Sequence, residues 1–332
     1  MNFVSKARLA KDKEKIAFPR NFRINEMVKA TNSKNVYEFT GSDSFGSEWN
    51  ERRRYEVDAG RDLEPLLYTP LYNEIRDPSL PRNIPVFRLG PGGVVLEEVF
   101  DGGEVKFASV TSSEFTVALH HYATGIEYSK DLMVYNELWN VPIVERQAGV
   151  AYNALLNHIH LSPILTATYG AGNQTAGNTS GSTTVEDFML TIEDAIVNSR
   201  TDTTNPRRGP YALIVSSGVE LTVEKALRRE VQSGLALQSQ AIDAIQTVIA
   251  YDGWTGTRGS KSTTYSGVTS TKGYLVNLGY RDQDMQSYIK QDLMQDGEQE
   301  DISRFLMSVV WDTYFGAYCN PTAAVEEITW PS

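Results

Sequence analysis

Residues 84–128 read IPVFRLGPGGVVLEEVFDGGEVKFASVTSSEFTVALHHYATGIEY, and the first architectural signal lies here. Phe115, Val117 and Leu119 alternate with Glu114, Thr116, Ala118 and His120. That period of two puts the apolar side chains on one covered face of a strand. Val94, Val95, Leu96 and Val99 form a second β-prone run, and Gly90-Pro91-Gly92-Gly93 and Asp101-Gly102-Gly103 are turn signals. The pattern predicts a long β-hairpin from Ile84 to Tyr128 with no obvious partner inside the chain. Isolated two-stranded hairpins are marginal in water, so the pattern itself points to assembly.

The clearest helix follows. Asn140 can cap it, Pro142 sits in the first turn, and Glu145 suits the positive N-terminal end. Ile143, Gln147, Val150, Ala151, Ala154, Leu155 and His158 recur at helical spacing, which predicts a helix from Pro142 to about Leu161, ending before Pro163. The small residues Ala148, Gly149, Ala151 and Ala154 predict that it lies close on a sheet.

Thr166–Thr184 reads as a polar loop. Beyond it the spacing predicts a helix over Val185–Ser199, a buried strand at Tyr211–Val215 and a helix over Val219–Val231. A strand at Thr247–Tyr251, a loop over Gly253–Gly273 and a strand at Tyr274–Leu278 complete an α/β block. Arg304–Tyr318 is long, aromatic and β-prone, and Ala323–Ile328 reads as a last strand. Toward the N-terminus, Ser42–Ser47 reads as loop and Glu51-Arg52-Arg53-Arg54 as a charge cluster. Four prolines between Pro65 and Pro81 leave room only for a short helix, Leu71–Arg76. The fold class expected is α+β.

The chain has 332 residues and a formal charge of -11, with 41% hydrophobic and 22% charged residues, ordinary for a folded chain. No run approaches the ~20 apolar residues of a membrane-spanning helix, so no membrane partner is expected. The opening residues lack a secretory pattern. The acidic whole argues against a protein that grips nucleic acid, which needs a basic face. The charge is split: residues 1–29 carry +5 and the remainder -16. Such an arm suits an acidic surface on another copy, or phosphate.

A search for chemistry finds little. Gly256-Thr-Arg-Gly-Ser-Lys-Ser262 lacks phosphate-loop spacing, and no dinucleotide fingerprint or Gly-x-Ser-x-Gly elbow occurs. The four histidines, His120, His121, His158 and His160, do not bring two ring nitrogens to one metal locally. Cys319 has no local partner and reads as a small packed residue. The carboxylates from Asp282 to Asp301 read as a solvated face, lacking the alternation of a calcium loop. No catalytic residue, cofactor or metal site is expected, and the chain is not read as an enzyme.

The order of these features resembles the major capsid proteins of tailed bacteriophages, the Hong Kong 97-type (HK97-like) fold. The resemblance rests on pattern and order across most of the chain, not on an invariant signature. It implies an N-terminal arm at 1–38 and an extended loop at 84–127, with Glu98-Val-Phe-Asp-Gly-Gly-Glu-Val-Lys-Phe107 near its tip. It implies a peripheral domain from 39–83, 128–165 and 301–332, built on the helix as spine, and an inserted axial domain at 166–300. Inter-subunit contacts are expected at Lys11, Arg20, Arg23, Phe100, Lys106 and Phe107. The function implied is self-assembly, as hexamers and pentamers, into an icosahedral shell that encloses double-stranded DNA without sequence-specific binding. Implied partners are scaffolding, portal and decoration proteins, and the implied location is the virion, assembled in the host cytoplasm. No long scaffolding-like segment precedes the arm, so scaffolding would come from a separate protein or from processing. Some relatives cross-link a loop lysine to a neighbour's asparagine; Lys106 is the only lysine near this loop tip, and nothing marks a partner. Two other readings compete: an encapsulin-type compartment shell, and a carboxylate-dependent hydrolase using residues such as Asp292 and Glu298.

Overall fold

The computed structural model describes residues 43–89, 112–129, 141–203, 206–228, 242–258, 260–279, 281–301 and 304–331. Its first element is a helix that sequence reading missed, α1 (Asp43–Arg61), which covers the Arg52–Arg54 charge cluster. Short β1 (Asn73–Arg76) stands where a helix was expected. β2 (Asn83–Leu89) and β3 (Ser112–Ala118) pair antiparallel from Asn83 opposite Ala118 to Leu89 opposite Ser112, so the root of the predicted hairpin is present. The hairpin ends there. β4 (His120–Ser129), read from sequence as its continuation, belongs to a different sheet.

That sheet has the order β1-β11-β12-β4 and is dominated by β11 (Met285–Asp301) and β12 (Leu306–Cys319). At about 3.3 Å per residue β12 alone spans ~45 Å. Three register shifts along β11 bend the ribbon they form. Polar, acidic β11 was read as a solvated face within the inserted block. It is a strand because β1 pairs along one edge and β12 along the other, a non-local cause that its own composition does not show.

The spine helix, α2, runs from Val141 to Thr166, with Pro163 inside its last turns rather than beyond its end. Its buried face matches the predicted stripe only in part: Ala154 is buried and Leu155 packs on the core, but Ile143 is 55% exposed, whereas Glu145, Gly149, Asn153, Asn157 and His160 are buried. The neighbour of its first half is α1 rather than a sheet. Arg53 meets Glu145, Val57 meets Gly149, and Arg61 meets Asn153, so the pairs advance together in steps of four. The two helices therefore run side by side in the same direction. The approach is close enough that a Cβ on Gly149 would lie 2.1 Å from the Val57 carbonyl oxygen, and one on Gly60 would lie 2.0 Å from that of Arg146.

The second half of α2 covers a five-stranded sheet of order β5-β13-β10-β6-β7. Its strands are β5 (Gln174–Thr175), β6 (Tyr211–Val215), β7 (Ile245–Ala250), β10 (Lys272–Asn277) and β13 (Val325–Thr329). Leu156, Leu161 and Ile164 of α2 pack with Ala212, Ile214, Tyr274 and Val276 on one face. Helices α3 (Thr184–Thr201) and α4 (Ser217–Leu227) cover the other, where Phe188, Ile192 and Val223 meet Tyr211, Leu213, Leu275 and Trp330. All five residues of β6 are buried, which is why that strand reads as a continuous apolar run. α3 starts where its capping chemistry dictates: Thr183 accepts from the Glu186 N–H, and Glu186 accepts from the Ser182 N–H. β13, expected to close the peripheral domain, lies in this sheet between β5 and β10. The polar stretch after β7, expected as loop, forms a small hairpin of β8 (Gly253–Arg258) and β9 (Lys261–Ser266), with Tyr265 stacked 4.3 Å from His158 of the spine. One-turn helices α5 (Arg281–Asp284) and α6 (Pro321–Ala324) flank the ribbon base.

Replacing Gly149 with alanine adds about 1 kcal/mol of helix propensity but forces a methyl into the Val57 carbonyl. We expect Gly149→Ala to lower unfolding stability by about 1–3 kcal/mol, measured by urea titration, and an exposed control such as Val144→Ala to change it far less.

Candidate assembly surfaces and the polar clusters beneath them

The six residues expected at contacts, Lys11, Arg20, Arg23, Phe100, Lys106 and Phe107, lie outside the described residues, as does Asn140. What is described is how the hairpin is rooted. Ile84, Val86, Val117 and Leu119 form a small core with Tyr288 of β11, and the Leu119 N–H donates to the Arg82 carbonyl at 2.8 Å. Phe115, on the expected covered face, is 42% exposed, its ring 5.7 Å from that of Tyr318.

Beneath the hairpin and ribbon lie polar clusters that the sequence did not announce. Asn153 donates to the carbonyls of Arg61 and Glu64 at 2.8 and 2.7 Å. Asn157 donates to Pro65 and accepts from the Leu67 N–H, each at 2.8 Å. Two buried amides thus hold the turn leaving α1 against the spine, satisfying backbone groups that would otherwise be stranded. Arg53 and Glu145, both nearly fully buried, form an ion pair at 3.0 Å, and Arg53 also donates to the Tyr128 hydroxyl. Desolvation raises the Glu145 carboxyl from 4.5 to about 7 despite Arg53 and Arg52, with Glu56 adding to the rise. In the five-stranded sheet, buried Arg207 reaches Glu326 at 2.6 Å, Asp202 at 3.5 Å and Ser199 at 3.2 Å. Burial raises Glu326, with Thr175 and Arg207 opposing.

His160 is fully buried, stacked 3.8 Å from Tyr68. Its Nδ1 lies 2.7 Å from the Leu156 carbonyl and its Nε2 2.8 Å from Ser287 Oγ. A carbonyl only accepts, so Nδ1 carries the proton and Nε2 accepts from Ser287. Desolvation lowers this imidazole from 6.5 to about 4. His121 stacks on Tyr314 and lies 3.3 Å from Asp312. Burial pushes the Cys319 thiol up to about 12, the opposite of an activated nucleophile.

Asp292 and Glu298, named in the hydrolase reading, sit six residues apart on β11, about 20 Å along an extended strand. Asp292 is a structural acceptor instead, taking Tyr152 at 2.7 Å, the Leu293 N–H at 2.8 Å, and Arg61 and Arg76 at 3.3 Å. Burial pushes it up, but these four donors together bring it below the ordinary carboxylate value. Among the described residues, no group of three or more His, Cys, Asp or Glu is placed to hold a metal, and no helix is long and apolar enough to cross a membrane.

Large apolar side chains remain outside this network: Tyr55 on α1, Ile143 and Val144 at the start of the spine, Met294 and Val310 on the ribbon, and Phe305 at its turn. Phe305 has φ of 53°, a left-handed conformation that costs a bulky residue about 1–3 kcal/mol.

No family model and no curated protein matches the chain. Solved structures do. A virus-like particle from Pyrococcus furiosus aligns over 86% of this chain and 100% of its own, at 11% identity and a TM-score of 0.52. The mature capsid of bacteriophage PhiM1 covers 81% of this chain and 88% of its own, at 12% identity and 0.53. The capsid of Myoviridae phage XM1 covers 80% and 92%, at 11% and 0.53. The fold is the Hong Kong 97-type capsid fold.

The two buried titrating groups give opposite pH slopes. Glu145, raised in the fold, contributes stability below its ordinary 4.5 that is lost as pH rises through about 7. His160, lowered in the fold, contributes stability above 6.5 that is lost as pH falls through about 4. In thermal melts at stepped pH, we expect Glu145→Gln to abolish the decline between pH 5 and 7. His160→Gln should remove a loss on the order of 2–3 kcal/mol between pH 6.5 and 4. Unaltered slopes in both variants would refute these assignments.

Proposed function

We propose that this chain is the major capsid subunit of a tailed bacteriophage, assembling with copies of itself as hexamers and pentamers into an icosahedral shell around double-stranded DNA. The observation that carries the reading is the Hong Kong 97-type fold, with the root of a hairpin held on the body through a small core. We assign the +5 of residues 1–29 to contact with the -16 surface of a neighbouring copy. Complementary charge of this kind sets register and association rate more than affinity. Lys11, Arg20 and Arg23 in the arm, and Phe100, Lys106 and Phe107 in the loop, are the contact residues of this reading. We read 1–38 as arm, 84–127 as extended loop, 166–300 as axial, and 39–83, 128–165 and 301–332 as peripheral, with β11 and β13 exchanging sheets across those limits. The role is structural rather than enzymatic. The acidic body leaves the genome enclosed but not gripped, and needs neither membrane nor cofactor. Scaffolding, portal and decoration proteins are its partners, with assembly in the host cytoplasm before residence in the virion.

A second reading, a compartment shell of the encapsulin type, is favoured by one observation: the virus-like particle from Pyrococcus furiosus aligns over its whole length. Neighbouring genes separate the two, since portal and terminase genes indicate a phage and a cargo enzyme indicates a compartment.

Electron microscopy of the chain expressed alone and with its scaffold tests the shell. Closed particles, rings or tubes are expected, and a monomer under every assembly condition overturns the reading. Deleting residues 1–23 should leave the subunit's melting temperature nearly unchanged while lowering shell yield severalfold; undiminished yield and shell stability would remove the arm from assembly.

A further inference from the structure

The turn of the β11–β12 ribbon carries an aromatic with no use inside the subunit. Phe305 is 64% exposed and is the one non-glycine residue at positive φ among the described residues. Glycine or asparagine would hold that backbone without strain. A residue that neither relaxes its turn nor buries its ring points to a contact outside its own chain.

The body offers a matching hollow. A cavity of about 200 Å³ opens between α1 and the ribbon, lined by Arg54, Val57 and Asp58 of α1, Leu293 and Met294 of β11, and Trp311 of β12. Met294 and Arg54 are exposed, so the hollow reaches the surface. Trp311 is 2% exposed, yet its indole N–H is buried without an acceptor. Buried donors of this kind ordinarily have partners. An apolar cavity of about 150 Å³ suffices to bind benzene, so the volume admits a phenyl ring. Phe305 cannot fill the hollow of its own chain, because Trp311 lies six residues away along an extended strand, about 20 Å. The ribbon end carries Asp296, Glu298, Glu300 and Asp301 against Arg304, while Arg54 and Asp58 balance each other at the cavity, leaving Arg54 as the one cation among its lining residues for an acidic neighbour.

We propose that Phe305 of one copy seats in the Trp311-lined cavity of a second copy. The contact joins two different patches, so it propagates from copy to copy and closes into rings or shells instead of ending at a dimer. It rests on the shell reading and adds to it a particular pair of surfaces.

Disulfide trapping tests it on assembled full-length chains. Phe305→Cys chains mixed with Met294→Cys chains should give an oxidised dimer in the assembled fraction, absent when either variant is assembled alone. Two further variants read the energetics. Phe305→Gly keeps the turn and removes the ring, and Met294→Trp blocks the mouth. Each should keep the wild-type melting temperature or exceed it, yet need about tenfold more subunit for half-assembly. Shells that form at wild-type concentration in both variants, with no trapped dimer in the mixture, overturn this contact and leave the shell reading standing. A wild-type chain that never self-associates overturns both.

Discussion

The structure depends on the seating of one helix against two different partners. The first half of α2 lies backbone-close on α1, where Gly149 meets the Val57 carbonyl, and its second half covers the five-stranded sheet with Leu156, Leu161 and Ile164. Because one helix makes both contacts, α1 and the five-stranded sheet are placed relative to each other, and Met285, Ile289 and Phe315 of the four-stranded sheet join the same core. The α1 contact needs glycine at both crossing points, and the sheet contact needs branched aliphatics. Neither half tolerates the side chains of the other. The long ribbon repeats the arrangement from outside: β11 and β12 begin beside the spine's Ser287–His160 bond and run out past its N-terminus to Phe305.

This explains which parts of the fold could be read from sequence. β6 was plain because both faces are covered and every residue is apolar. α3 was plain because its apolar residues keep helical spacing, and the structure adds the Thr183 cap. The hairpin root and the existence of the spine were also legible. What escaped shares one cause: burial of polar groups by partners distant in sequence. α1 reads as a charge cluster because the side chain it buries most deeply is Arg53, neutralised by Glu145, 92 residues on. The spine's buried face was partly misread because Asn153, Asn157 and His160 look solvent-seeking until the carbonyls and hydroxyl that take their hydrogen bonds are known. β11 carries no alternation because its strand character comes from its neighbours rather than from a covered face. For the proposed assembly surfaces, sequence pointed to an arm and a loop tip, both outside the described residues. It did not supply Phe305 or the Trp311 hollow, which stand out only through a dihedral angle and an unpartnered N–H.

The interior ion pairs bear on function as well as on fold. Replacing a buried pair with apolar residues is often neutral or stabilising, so Arg53–Glu145 and Arg207–Glu326 are weak evidence of stability. Their geometry is more telling. Arg53 ties α1, the spine and β4 together at one point, and Arg207 ties α3, β13 and the loop before β5. Directional contacts of this sort fix angles that apolar packing leaves softer. In the proposed shell that property would matter, because a small angular error in one copy accumulates over many. The proposed outer contacts have the opposite requirement: each must be weak enough singly for a misplaced copy to leave, which one aromatic in a shallow hollow and a charged arm would satisfy better than a continuous apolar face. On that proposal, stiffness inside and reversibility outside would come from different chemistry in different parts of the same chain.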